Sequence, residues 1–175
     1  MTLRPRKVNT DMDCPKLKGI LSSKSMICVP FSPWHLNFFD IDVASGGLGS
    51  VIADYTTYIT MQSQFGPAYS VLKVGGDMAT VGVFGAVQLW SGVGEAWAMP
   101  GTIARENPVS FVRASRLILD ELVKIGGFRR LQAYVKASHI SSVQFAKVCY
   151  FVPEARLAQF GPEGADYFLF ARFEE

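Results

Sequence analysis

The residues able to act as nucleophiles or metal ligands are few and widely spaced in this sequence. The cysteines are Cys14, Cys28 and Cys149, none of them in C-x-x-C spacing, and the histidines are His35 and His139. Because structural zinc sites take four Cys or His ligands, the sequence predicts no metal site. An odd cysteine count argues against a disulfide framework and favours a reducing compartment. We interpret the cysteines as core residues, with a thiol that the fold brings beside a histidine as the alternative.

Glycines cluster in residues 45–50, which read Ser-Gly-Gly-Leu-Gly-Ser. A phosphate-binding loop is the functional alternative to a simple turn, but the segment lacks the Gly-Lys-Ser/Thr ending of such loops. The sequence also has no G-x-S-x-G, so a serine nucleophile of the hydrolase type is not indicated. We predict that residues 45–50 form a turn before a helix.

The composition is that of an ordinary globular protein. Of the 175 residues, 49% are hydrophobic and 18% are charged, which excludes a disordered chain and suits one domain over residues 1–175. The net charge of +2 is too small to indicate specific nucleic-acid binding. No apolar segment follows the basic residues 4–7, and no apolar run approaches the ~20 residues of a membrane helix. We therefore expect a soluble protein without a signal peptide or membrane span.

Local signals divide the first 65 residues into four predicted segments. Proline is tolerated in an edge strand, an Asx residue before proline is typical of a helix start, and Gly-Pro ends a helix. We predict a strand over 2–8, a helix over 14–21 beginning at Asp13 and Pro15, an irregular segment over 22–42 and a helix over 48–64.

The remainder of the chain alternates strands and helices. The clearest element is a helix that starts at Asn107-Pro108, carries apolar residues three or four apart and ends at Gly126-Gly127. The other predicted elements are strands over 69–74, 79–90, 95–99, 131–135, 155–159 and 167–173, and a helix from 138 or 139 to 149. This order predicts an α+β protein with one mixed sheet flanked by helices.

The element order and several local sequences resemble the GNAT (N-acetyltransferase) family. Gly94-Glu95-Ala96-Trp97-Ala98-Met99 looks like its fourth strand, and residues 107–116 look like the start of its third helix in the form carried by tailed bacteriophages. Residues 161–164, Gly-Pro-Glu-Gly, resemble a turn of those phage proteins. The resemblance covers residues 69–173 and implies a GNAT-like, mostly antiparallel twisted sheet.

The resemblance also implies positions for acetyl-CoA. Family members bind its pyrophosphate with a Q/R-x-x-G-x-G/A loop, but the matching residues 109–114 contain no glycine. The backbone of residues 96–99 would hold the cofactor arm. The implied cofactor-binding residues are Ala98, Met99, Val109, Ser110, Phe111, Arg113 and His139, the last in place of an asparagine. Arg113 and Arg116 are alternatively solvated helix residues, with Arg116 paired to Asp120 at i+4.

Acid–base residues implied by the resemblance are incomplete. Glu95 occupies a position where some members keep a catalytic base, with an exposed glutamate at a strand end as the alternative. The tyrosine that can protonate the departing thiolate falls at Ala146, which cannot donate a proton. A shifted alignment would promote Tyr150 to that role.

From these losses we predict a catalytically degenerate, virion-associated or morphogenesis protein of a tailed phage with no cofactor. It would be located in the virion, and in the host cytoplasm during infection, with other virion proteins or a second copy as partners. The alternative is an acetyl-CoA-dependent N-acyltransferase acting on an amine, and a host-directed binding protein is a third reading. The aromatic and proline residues Phe31, Pro33, Trp34, Phe38 and Phe39 form either a cap over the core or a protein interface.

Overall fold

A computed structural model of the chain describes residues 12, 14–41, 55–161 and 163–173. Within them, seven strands form one sheet in the order β1-β2-β3-β4-β5-β7-β6. The strands are β1 (Met26–Pro30), β2 (Ala68–Lys73), β3 (Ala79–Trp90), β4 (Val93–Pro100), β5 (Arg130–Lys136), β6 (Val152–Leu157) and β7 (Tyr167–Phe173). Neighbouring strands are antiparallel except β4 and β5, which are parallel. The predicted mixed, mostly antiparallel sheet is confirmed.

Helices flank this sheet on both sides. The described residues contain α1 (Pro15–Ser22), α2 (Tyr55–Gln62), α3 (Pro108–Gly126) and α4 (Ile140–Val148), with short 3-10 turns over Pro33–Phe38, Ser63–Phe65 and Thr102–Glu106. No helix among them is long and apolar enough to cross a membrane.

Helix α3 packs along the centre of the sheet. Its apolar residues Ala114, Ile118 and Leu122 are four apart and at most 2% exposed, so they share one buried face. The helix ends at Gly127, whose φ of +61° is the left-handed cap that glycine favours. Asn107 occupies the predicted N-cap position, but its side chain makes no capping hydrogen bond.

Strand β1 lies in the segment that was predicted to be irregular, so that prediction is wrong. It pairs with β2 in the register Met26–Lys73 to Pro30–Tyr69. Only Met26 of its five residues is buried, whereas Ile27 is 42% exposed. Because β1 is an edge strand with little burial, its sequence shows no alternation to detect.

Strand β6 also differs from its prediction. Pro153, which was expected to interrupt the chain before a strand over 155–159, lies inside β6. The register with β7 shifts between Pro153 and Ala155. An edge strand tolerates a proline and such an irregularity because one of its sides makes no ladder hydrogen bonds.

Several predictions lie outside the described residues. These are the strand over 2–8, the cap at Asp13, the glycine-rich turn at 45–50 and the first part, 48–54, of the predicted second helix. The rest of that helix is α2, which ends before Gly66-Pro67 as predicted.

Candidate functional site

A slot opens in the middle of the sheet because β4 and β5 pair over a short distance only. Their parallel register contains three residue pairs, Val93–Arg130, Gly94–Leu131 and Glu95–Gln132. β4 continues to Pro100 and β5 to Lys136, and the slot lies between these continuations. A backbone N–H or C=O that faces a missing strand partner needs another hydrogen-bonding group. The slot therefore offers backbone donors and acceptors to a ligand.

The slot has a volume of about 170 Å³ and reaches both faces of the sheet. Ala96, Ala133 and Val135 pack against the hydrophobic core beneath α3. Since neighbouring residues of a strand point to opposite faces, Glu95 and Tyr134 face the other side. We call the first side the apolar face and the second the acceptor face.

The apolar face is closed by helices α3 and α4. Leu119 of α3, Phe145 and Ala146 of α4, and Cys149 directly after α4 line the slot on this side. Phe111 of α3 stacks on Phe145 at a ring-centroid distance of 5.9 Å, which fixes the two helices against each other. This wall is suited to an unbranched, largely apolar chain.

The acceptor face carries the ionisable groups of the slot. Glu95, Tyr58 and Gln62 line it, the last two from α2. Burial raises the pKa of the Glu95 carboxyl. The pKa of Tyr58 is raised by burial and then by the nearby Glu95 charge. Glu95 is the third residue of β4 and only partly exposed, so the alternative of an exposed strand-end glutamate is wrong.

A chain of hydrogen bonds leads from the surface to Tyr134 on the acceptor face. Arg130 forms a bidentate ion pair with Glu154 (Nη1–Oε1, 2.9 Å; Nη2–Oε2, 2.5 Å). The Arg130 Nε donates to Gln132 Oε1 at 3.4 Å, and Gln132 Nε2 donates to the Tyr134 hydroxyl at 3.1 Å. Because the Tyr134 oxygen accepts this bond, its own proton is free to be donated into the slot.

The loop between β6 and β7 borders the acceptor face. Its Phe160 stacks on the Tyr134 ring with centroids 4.9 Å apart and planes at 23°. Lys136 at the end of β5 lines the slot and pairs with Glu163 of the same loop at 3.5 Å. This loop therefore supplies one aromatic ring and one carboxylate beside the slot.

The predicted cofactor residues fall into two places. Ala98 and Met99 line the slot. Val109, Ser110, Phe111 and Arg113 lie in the first two turns of α3, with Val109 and Arg113 exposed. Ser110 and Phe111 line a separate small cavity on the α1 side. The structure therefore does not bring all predicted cofactor residues into one pocket.

His139 occupies the N-cap of α4. Its Nδ1 accepts a hydrogen bond from the Ser142 backbone N–H at 3.3 Å, and Ser142 lines the slot. The side chain at the predicted asparagine position thus caps a helix that closes the apolar face.

The residues around the end of α4 settle the question of a proton donor there. Ala146 lines the slot, so the tyrosine position implied by the resemblance is a methyl group. The Tyr150 ring lies under the Arg116 and Arg172 guanidiniums, at 4.6 and 5.7 Å, and does not line the slot. Tyr150 therefore does not replace the missing tyrosine.

The predicted Arg116–Asp120 pair is wrong. Asp120 forms an ion pair with Arg172 instead. Arg116 Nε donates to the Val148 carbonyl oxygen at the end of α4. The carbonyl groups at a helix C-terminus attract cations, and this explains where Arg116 binds.

The surroundings of Cys28, Cys149 and His35 fit structural residues and not nucleophiles or metal ligands. Cys149 is buried, and burial raises its pKa and that of Cys28 to about 12. Such thiols stay protonated and are weak nucleophiles. His35 Nδ1 accepts from the Ser32 backbone N–H at 3.1 Å, in a capping box of the 3-10 turn. The described residues hold no cluster of three His, Cys, Asp or Glu able to bind a metal.

The aromatic segment at 31–39 is partly a cap and partly exposed. Phe39 lies beside Gly101, where an added Cβ would be 3.1 Å from the ring. Trp34 is 59% exposed and packs edge-on against Phe38 at 5.3 Å. The predicted cap over the core fits Phe39, and the predicted protein interface fits the exposed Trp34.

The sequence did not single out Tyr58, Gln132 or Tyr134. Tyr134 belongs to a predicted strand whose alternation was visible, but alternation alone does not show which face carries a site. Tyr58 carries no sequence signal for function.

Comparisons with known proteins show the fold. Neither the models of known families nor the curated protein sequences match this chain. Ard1 from Thermoplasma volcanium superposes with a TM-score of 0.67 at 14% identity, over 86% of this chain and 99% of that one. A GNAT-family acetyltransferase from Bacillus anthracis has a TM-score of 0.63 at 16% identity, over 85% and 95% of the two chains.

A third similar structure was solved with a cofactor. YncA from Salmonella typhimurium, in complex with acetyl-CoA, has a TM-score of 0.61 at 10% identity, over 86% of this chain and 95% of that one. The chain has the GNAT fold, and the predicted fold class is confirmed. The finer resemblance to phage-encoded members stays a prediction.

Proposed function

We propose that this chain, which has the GNAT fold, is an N-acyltransferase that uses acetyl-CoA to acylate an amine. The observation that carries the proposal is the slot between β4 and β5, with the half-buried carboxyl of Glu95 at the point where the strands separate. The sequence predicts this function as the alternative to a degenerate phage protein.

The residues present fit acetyl-CoA in part. The apolar face of the slot suits the cofactor arm, with Ala98 and Met99 on β4 as its neighbours. The first N–H groups of an α-helix have no partner within the helix, which makes the start of α3 at Val109 and Ser110 an anion site. Arg113 adds a positive charge one turn later. The missing glycines predict a weaker hold on the pyrophosphate than a glycine-rich loop gives.

Acetyl-CoA, when bound, supplies an acyl group activated as a thioester. Glu95 is the base that we assign to the amine: its carboxylate oxygens take the proton from an ammonium group on the acceptor face. Because burial raises the pKa of Glu95, its carboxylate is a stronger base than an exposed glutamate. Tyr134 is the proton donor that we assign in place of Ala146, since Gln132 orients its hydroxyl and leaves the proton free.

The proposal is tested first by acetyl-CoA binding to the full chain, measured by calorimetry and by thermal shift. A ligand of the folded state raises the melting temperature by mass action. We expect binding, and release of free thiol when a panel of amines is added. No binding at millimolar acetyl-CoA together with no acyl transfer to any amine would overturn the proposal.

A protein-binding role, of which the predicted virion association is one case, is the second candidate, and the exposed Trp34 with its contact to Phe38 favours a protein interface without indicating the partner. Exposed aromatic side chains are common anchors of protein interfaces. This role, its phage partners and a location in the virion or host cytoplasm remain predictions. Affinity purification from infected cells with the wild-type chain and with Trp34→Ala tests them, and loss of virion proteins in the variant alone is the expected result.

A further inference from the structure

We infer that the acceptor substrate is a monoamine with a flat aromatic body, and that polyamines are poor substrates. This inference rests on the proposed function and concerns the acceptor face alone. It comes from the charges and rings that line this face.

The charges on the acceptor face fit a single ammonium group. Among the described residues that line the slot, Glu95 is the carboxylate and Lys136 is the other charged group. A polyamine would bring further ammonium groups into a partly desolvated site, where each needs an opposite charge. Lys136 would repel them instead, and Glu163 already pairs with Lys136.

The walls of the acceptor face fit an aromatic body. Tyr58, Trp97 and Tyr134 line the slot from α2, β4 and β5. Phe160 stacks on Tyr134 and is 52% exposed, so the aromatic surface continues from the slot towards solvent. Aromatic rings favour offset or edge contacts with one another, and these contacts add to the gain from burying apolar area.

Trp97 adds an aromatic ring to this face that is held in place by its packing. Its indole packs on Gly85, where an added Cβ would lie 2.2 Å from the ring, so glycine is required beneath it. Gly85 thereby leaves room for the indole, whose ring extends the aromatic wall that Tyr58 and Tyr134 form.

The experiment compares four amines with the full chain and saturating acetyl-CoA: 2-phenylethylamine, tryptamine, butylamine and spermidine. We expect kcat/KM for the two aromatic amines to exceed those for butylamine and spermidine at least tenfold. Calorimetry with non-reacting coenzyme A present should show the same order of affinity. Spermidine equal to or better than the aromatic amines in either measurement overturns the inference.

The two proposals fail in different ways. Efficient acylation of spermidine or butylamine would support the proposed acyltransferase activity but contradict the inference that the acceptor is an aromatic monoamine. Absence of acetyl-CoA binding and of all acyl transfer would remove the acyltransferase, and the acceptor inference with it.

Charge reversal gives a sharper test of the same face. Lys136→Glu places a second carboxylate beside the slot, so we expect the ratio of spermidine to phenylethylamine kcat/KM to rise at least fivefold. Lys136→Gln separates loss of the cation from gain of the anion. Lys147→Glu, an exposed reversal on α4, is the matched control and should leave the ratio unchanged. An unchanged ratio in Lys136→Glu contradicts the inference.

Discussion

Glu95 and Gln132 form the last residue pair that joins β4 to β5. Both side chains face the acceptor side, since Leu131 and Ala96, their neighbours along the strands, belong to the opposite core. The end of strand pairing thus places a partly buried carboxyl beside the amide that orients Tyr134. One local feature of the sheet positions both groups to which we assign proton transfer.

Glu95→Gln should lower kcat/KM for the amine about 10²–10⁴-fold, because an amide cannot take a proton. In the wild type, kcat/KM should fall as pH drops through the pKa of Glu95, since only the carboxylate is a base. Burial raises that pKa, so the acid limb lies above the usual range of a glutamate. A pH profile from 4 to 9 measures it, with Asp77→Asn, an exposed residue between β2 and β3, as a surface control. A Glu95→Gln variant of full activity would exclude the assigned base.

The same substitution should change stability in a pH-dependent way. A carboxyl whose pKa is raised by folding favours the folded state when protonated, and this contribution is lost as pH rises through the folded pKa. The amide that Glu95→Gln introduces does not titrate, so the variant does not lose this stability as pH rises. The free energy of unfolding of Glu95→Gln minus that of the wild type should therefore be larger at pH 8 than at pH 4. Thermal melts of both proteins at the two pH values check this. An equal difference at both pH values would mean that Glu95 is not desolvated.

Tyr134→Phe should lower kcat while leaving acetyl-CoA affinity within a factor of about two, because only the proton donor is lost. The loss expected for one general acid is about 10²–10⁴-fold. Gln132→Leu should produce part of this loss, since it removes the hydrogen bond that orients the hydroxyl. The conservative Gln132→Glu keeps an acceptor but no donor, and should resemble Gln132→Leu. Full kcat in Tyr134→Phe would assign the proton to another group.

A double-mutant cycle distinguishes the observed partner of Asp120 from the predicted one. Arg172 is largely buried, with its side chain 11% exposed, so its pairing with Asp120 should show a coupling of about 1 kcal/mol. Coupling between Asp120 and Arg116, which binds the end of α4, should be near zero. Urea unfolding of the single and double alanine variants gives both values. Strong coupling to Arg116 would favour the i+4 pair after all.

The wrong prediction of an Arg116–Asp120 pair shows that spacing along a helix does not by itself identify the partner in an ion pair. Arg116 lies four residues from Asp120, and this spacing alone allows a helix pair. Arg172 is distant in the sequence and reaches Asp120 only because β7 lies in the sheet beneath α3. Helix α3 itself was predictable, since Asn107-Pro108 and Gly126-Gly127 are local start and stop signals. Strand β1 was not, because an edge strand with one buried residue has no pattern.

The candidate site was predictable only in part for the same reason. Glu95 could be named from its resemblance to a family position. Tyr58, Gln132 and Tyr134 acquire their roles from the parallel register of β4 and β5 and from the packing of α2. Local spacing predicts neither the register of these strands nor the packing of this helix, because both depend on contacts between segments that are distant in the sequence.

Tyr150 offers a test of backbone strain at the end of α4. Its φ of +67° lies in the left-handed region, which glycine adopts more readily than any other residue. An L-residue there costs roughly 1–2 kcal/mol relative to glycine, while the ring gains contacts with Arg116 and Arg172.

The matched variants Tyr150→Gly and Tyr150→Ala separate these two effects. Both lose the ring, but only Ala keeps a Cβ in the left-handed conformation. We therefore expect the free energy of unfolding, measured with urea, to be about 1 kcal/mol higher for the Gly variant than for the Ala variant. The wild type should be close to the Gly variant. Equal stability of the two variants would mean that the backbone relaxes out of the left-handed region. A wild type far more stable than both would mean that the two arginine contacts outweigh the strain.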